Sequence, residues 1–125
     1  MSVRLTDSAG QSLKVNAWNW GVLHYTITCA QPPLFDDQDL LDGLRQGGAE
    51  LDEDQARKLH RFLDEIVRPM IPVGHRMMVD FSTTSEPDDG TLYTDDLSGN
   101  YSLRQDVLLS VIDFLATAQA PVQVS

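Results

Sequence analysis

Apolar and polar side chains alternate at the start of the chain, where "VRLTD" and "SLKVN" carry Val3, Leu5, Leu13 and Val15 on either side of "SAGQ". A period of two puts these four on one face of a strand pair. Gly10 accepts the positive φ of a tight turn, so the two segments read as a β-hairpin. A lone hairpin is marginal in water, so its apolar face needs cover from the rest of the chain.

The next stretch, "NAWNWGVLHYTITCA", starts at Asn16, a helix-capping residue, and sets Trp18, Val22 and Tyr25 on one helical stripe with Leu23 and Ile27 beside it. It is also rich in strand formers, among them Val22, Tyr25, Thr26, Ile27 and Thr28, so residues 17 to 30 stay open between helix and strand. On a helix, Trp18 and Trp20 lie about 200° apart. Only one can then face a core, while the other covers an edge or meets solvent. An exposed tryptophan marks a place where partners are gripped, whereas two packed ones only hold hairpin to helix.

Beyond "QPPLF", Asp36 or Asp37 caps a short helix carrying Leu40, Leu41 and Leu44, and Gly47 and Gly48 stop it. Asp52 with Gln55 three residues on has the spacing of a capping box, flanked by Leu51 and Ala56. The helix it opens is expected to run to Pro69. Its inward stripe is Ala56, Leu59, Leu63 and Ile66, with Phe62 and Val67 alongside. Glu53 and Arg57, Asp54 and Lys58, Arg61 and Glu65, and Asp64 and Arg68 stand four apart on the wet face, each pair worth a few tenths of a kcal/mol, and His60 among them reads as solvated.

After Pro72 the pattern loosens. "GHRMMVDFST" predicts a strand at Met77 to Phe81, and "TLYTDD" allows another. Ser102 with Gln105 again has capping-box spacing and opens a helix with Leu103, Val107, Leu108, Val111, Ile112 and Leu115 on a broad stripe, stopped at or before Pro121. Residues 118 to 125 read as a free tail. With no repeat and no long linker, the chain is expected to be a single α+β domain, an N-terminal hairpin packed on about four helices.

Composition adds a size and a charge. At 125 residues and 42% hydrophobic, the chain is long enough to bury a core without a disulfide or structural metal. Nineteen acidic against nine basic side chains give a net charge of −10, which repels nucleic-acid backbones and anionic membranes and favours a basic protein. Cys29 is the sole cysteine, expected as a small buried thiol; with no signal-like start and no apolar run of the ~18 residues a membrane helix requires, a cytoplasmic location is expected.

Candidate chemistry is sparse. A calcium loop aligned on Gly90 would put Ser85, Pro87 and Asp89 at its first, third and fifth positions, and proline offers no side-chain oxygen. His24, His60 and His75 fit no zinc spacing, and there is no phosphate loop or nucleophile elbow. Adjacent aspartates such as Asp36/Asp37 and Asp95/Asp96 ordinarily cap helices or solvate turns. Neither metal, nor cofactor, nor catalysis is expected.

The acids themselves are segregated. Residues 36 to 54 hold eight against Arg45, and residues 77 to 103 hold six with no base. Side by side, these segments would make a negative face in which Asp36, Asp37, Asp39, Asp88, Asp89, Asp95 and Asp96 steer a partner and Tyr93 or Tyr101 anchors it. The opening "VNAWNWGVLHY" after a hairpin, with the capped "LDEDQARKLHRFL", resembles small uncharacterised bacterial proteins, some of them like immunity proteins of toxin systems. The resemblance covers about the first half of the chain and implies an inhibitor that occupies a basic toxin, without catalytic residues. Two other readings stand beside it: a ligand-binding or regulatory domain whose pocket is lined by Trp18, Trp20, His24 and Tyr25, and a self-associating structural subunit.

Overall fold

The computed structural model describes residues 2–87 and 100–125, an α+β domain with two small antiparallel sheets. Strands β1 (Ser2–Thr6) and β2 (Ser12–Asn16) form the expected hairpin, pairing Val3 with Val15 and Leu5 with Leu13 around Gly10 at φ +89°. Helix α1 (Ala17–Thr28) follows, then α2 (Gln38–Gln46), β3 (Ala49–Leu51) and α3 (Glu53–Phe62). Strands β4 (Arg76–Met78), β5 (Thr83–Thr84) and β6 (Ser102–Arg104) precede α4 (Gln105–Thr117) and a last strand, β7 (Val122–Val124).

Residues 17 to 28 are helix, and Asn16 caps them by accepting from the amides of Trp18 and Asn19. The buried face is not the expected stripe. Trp20, Val22, Leu23 and Ile27 point inward, while Trp18 is 40% and Tyr25 45% exposed. α1 is apolar nearly all round, so its periodicity cannot say which side faces in, and its neighbours decide. These are the hairpin, α2 and β6, the last tied to α1 where the amide of Arg104 donates to Oδ1 of the buried Asn19 at 2.9 Å. Cys29, just past the helix, is exposed, not buried as expected.

Asp37 caps α2, and Asp52 and Gln55 form the capping box of α3. The α-helix ends at Phe62, however, and continues as a π turn (Leu63–Val67) and a 3-10 turn (Arg68–Met70) that takes in Pro69. A π turn holds more residues per revolution than an α turn. After Leu63 the inward position therefore falls on buried Val67, and Ile66 swings out to 56% exposure instead of joining the core. Of the four expected ion pairs, Arg57 with Glu53 and Arg68 with Asp64 form; Asp54 with Lys58 and Arg61 with Glu65 do not.

The expected strand at 77–81 is cut short, since the chain turns at Phe81 and returns as β5. The "TLYTDD" segment lies outside the described residues. Ser102 does not cap α4. It sits in β6 opposite Met78, with Leu103 fully buried opposite Met77, and Arg104 occupies the cap position without a side-chain capping bond. The segment read as a tail contains β7, which lies between β1 and β3 in a sheet ordered β2-β1-β7-β3, with Val122 and Val124 buried.

Where β7 enters, one carboxylate ties the two chain ends together. Asp7 is buried, and its oxygens accept from the amides of Ala9, Gln11 and, across the domain, Gln119 at 3.0 Å. The Gln119 amide, followed by those of Gln11, Ala9 and Gly10, holds this carboxyl below its ordinary range. A depressed folded-state pKa contributes stability that is complete above the unfolded value and is lost as pH falls through the folded one. Asp7→Asn presents an NH₂ group to one of these donors, so it should lower Tm at neutral pH by several degrees and flatten the loss of Tm below about pH 4. Parallel Tm-against-pH curves for the two proteins would show that Asp7 is not the titrating tie.

Candidate functional site

On a folded surface, exposed aromatic and aliphatic side chains gathered in one place signify more than scattered ones. Here Tyr25, Ile66, Met70 and Phe81 come together from α1, the π turn, the 3-10 turn and the β4–β5 turn. Phe81 stacks on Tyr25 with ring centroids 5.7 Å apart and planes 17° from parallel. Phe81, Met70 and Ile66 then line a hollow of about 380 Å³ with half-buried Phe62, Pro32 and Cys29. The Cys29 side chain pushes the Tyr25 phenol up, further above ordinary pH, where a phenol is already neutral.

The backbone at Phe81 is as informative as its side chain. Its φ is +69°, the left-handed region that costs a residue with a Cβ about 1 to 2 kcal/mol. Two backbone hydrogen bonds hold the turn, Phe81 N–H to the Met78 carbonyl at 2.9 Å and Met78 N–H to the Ser82 carbonyl at 2.8 Å. Asp80 braces it by accepting from the hydroxyl and amide of Ser82, and these bonds hold its carboxyl below the ordinary range. The stack on Tyr25 returns about 0.5 to 1.5 kcal/mol beyond the burial of a ring that is 36% exposed, so packing and backbone strain at this position largely offset each other.

Of the residues expected to form a partner-binding face, Asp36, Asp37, Asp39 and Tyr101 are described. Asp36, Asp37 and Asp39 are exposed, and the carboxylate of Asp37 is occupied in capping α2, where it accepts from the amides of Asp39 and Leu40. Asp88, Asp89, Tyr93, Asp95 and Asp96 lie outside the described residues. Tyr101 is half-buried and meets Trp18 edge-on, centroids 4.9 Å apart, over Gly21, where an added Cβ would stand 2.8 Å from the tyrosine ring.

Trp20, His24 and Tyr25 share a groove of about 580 Å³ with Tyr101 and Arg45, and Trp18 is not on its wall. Its polar tips are already engaged. The Trp20 indole N–H donates to the Leu44 carbonyl at 2.8 Å, and His24 Nε2 lies 2.9 Å from the Leu41 carbonyl. Both side chains therefore fasten α1 to α2, while Arg45, Gln46 and Tyr101 remain on the wall as polar groups. Among the described residues no three His, Cys, Asp or Glu side chains gather as metal ligands would, and no helix is long and apolar enough to cross a membrane.

Phe81, Met70 and Ile66 escape sequence reasoning. "MVDFS" alternates like a strand, and only the Asp80–Ser82 pair, able to bond its own backbone, hints at the turn that puts Phe81 outside. In comparisons with known proteins, no family model, no curated protein and no solved structure matches the chain.

Proposed function

We propose that the chain is a non-enzymatic, cytoplasmic protein-binding domain, an immunity-type inhibitor that acts by occupying a basic partner protein through the Tyr25–Phe81 face. The observation that carries this reading is Phe81, an aromatic ring held partly exposed on a left-handed backbone. Glycine or asparagine would relieve the backbone and lower the apolar exposure, so backbone strain and solubility oppose a phenylalanine whose packing only offsets them. A strained backbone under a partly exposed aromatic ring supports a contact made outside the fold. The charge of −10 supplies long-range attraction to a basic protein, and the exposed aromatic and aliphatic side chains supply anchors of the kind that dominate interfaces.

The groove shared by Trp20, His24 and Tyr25 supports the ligand-binding alternative less well, because its indole and imidazole are committed to backbone carbonyls. Recovery of tagged protein from its native cells separates the readings. A single basic protein should accompany the parent chain and be lost with Phe81→Gly. A retained small molecule, or only further copies of the chain, would contradict the proposal.

A further inference from the structure

Charge is unevenly compensated among the segments that build the Tyr25–Phe81 face. α1 carries no acid and no Arg or Lys, and residues 53 to 70, which supply Phe62, Ile66 and Met70, carry four acids and four bases. Two pairs of these are closed, Arg57 with Glu53 and Arg68 with Asp64, and the rest balance in number. The remaining contributor is the three-residue loop of Val79, Asp80 and Phe81, whose last position is left-handed and ordinarily glycine. Asp80 is exposed, and it is the only charged residue between Arg76 and Glu86. Both bonds from Ser82 reach its Oδ1, while Oδ2 accepts from no other residue among the described ones. The residue beside the strained ring is therefore a carboxylate that makes no ion pair among the described residues.

An exposed aromatic ring next to an uncompensated carboxylate matches a planar cation. A guanidinium can lie on a ring face and donate in its own plane to a carboxylate, whereas the ammonium of lysine is compact and strongly hydrated. We infer that the loop tip receives an arginine side chain of the partner protein, its guanidinium on the Tyr25–Phe81 rings and its charge met by Asp80. The inference rests on the protein-binding reading above and names the side chain by which the basic partner is held. The net charge of −10 attracts any basic protein from a distance, and the ring and carboxylate together select arginine at one point.

Short random peptides displayed on phage and panned against the full-length chain at about 0.3 M salt, where long-range attraction is largely screened, provide the test. Sequences containing arginine should be enriched over those containing lysine. The best of them, as a synthetic peptide, should bind about fivefold or more weakly when its arginine is replaced by lysine. Asp80→Asn keeps an oxygen that can accept from Ser82 and should weaken the parent peptide by a similar factor. Asp113→Asn removes the same charge from an exposed position of α4 and should leave the affinity within about twofold. No enrichment, equal binding by the lysine peptide, or equal weakening by both aspartate variants would overturn the inference. If lysine serves as well as arginine while Phe81→Gly abolishes binding, the arginine contact falls and the protein-binding face stands. If Phe81→Gly is silent too, the face itself falls.

Discussion

A chain ending at Ala120 should not fold. The lost residues include β7, which joins β1 to β3, and with it Val122 and Val124, each fully buried and worth about 1.5 to 3 kcal/mol. The backbone bonds exchanged between Arg4 and Ser125 also go, as does that from Gly48 to Val124, at about 1 kcal/mol each. The sum is of the same size as the whole stability of a small domain, about 5 to 15 kcal/mol. Circular dichroism of the truncated chain should show no cooperative thermal transition. A native-like melt would mean that the sheet closes without β7.

Trp20→Ala should cost about 3 to 5 kcal/mol, the usual range for removing a buried aromatic ring. Trp20 is only 2% exposed, and its N–H satisfies the buried carbonyl of Leu44, which the substitution leaves unpaired. Trp18→Ala removes an edge-on contact with Tyr101 from a side chain already 40% in solvent, and a smaller loss of about 1 to 2 kcal/mol is expected. Two tryptophans two residues apart thus have opposite assignments. Chemical denaturation of both variants checks them, and equal losses would contradict the orientation of α1.

How far sequence reasoning reaches depends on where each signal resides. The hairpin, the cap at Asn16 and the Asp52–Gln55 box are legible because alternation, turn residues and capping are local chemistry. The inward face of α1 is not, because a helix apolar all round takes its orientation from α2 and β6, distant in sequence. Ile66 is misplaced for a related reason: the π turn that rotates it outward has no periodic signature of its own. Ser102 has the right spacing for a cap, but pairing with Met78 claims it for a strand. β7 is three residues long and acquires meaning only between β1 and β3, more than a hundred and about seventy residues away. At the site, Tyr25 is legible as an aromatic of interest, while Phe81 is hidden by its strand-like neighbours.

The central claim is that Phe81 is kept for a partner and not for the fold, and Phe81→Gly tests it when Tm and partner affinity are measured on the same sample. Glycine removes the left-handed strain together with the stack and the ring's buried area, so stability should fall by no more than about 2 kcal/mol. Affinity for the co-purified partner should fall at least about tenfold, as expected when an anchoring aromatic is lost. A large drop in Tm with unchanged affinity would show that Phe81 serves the fold, and the proposed face would be wrong.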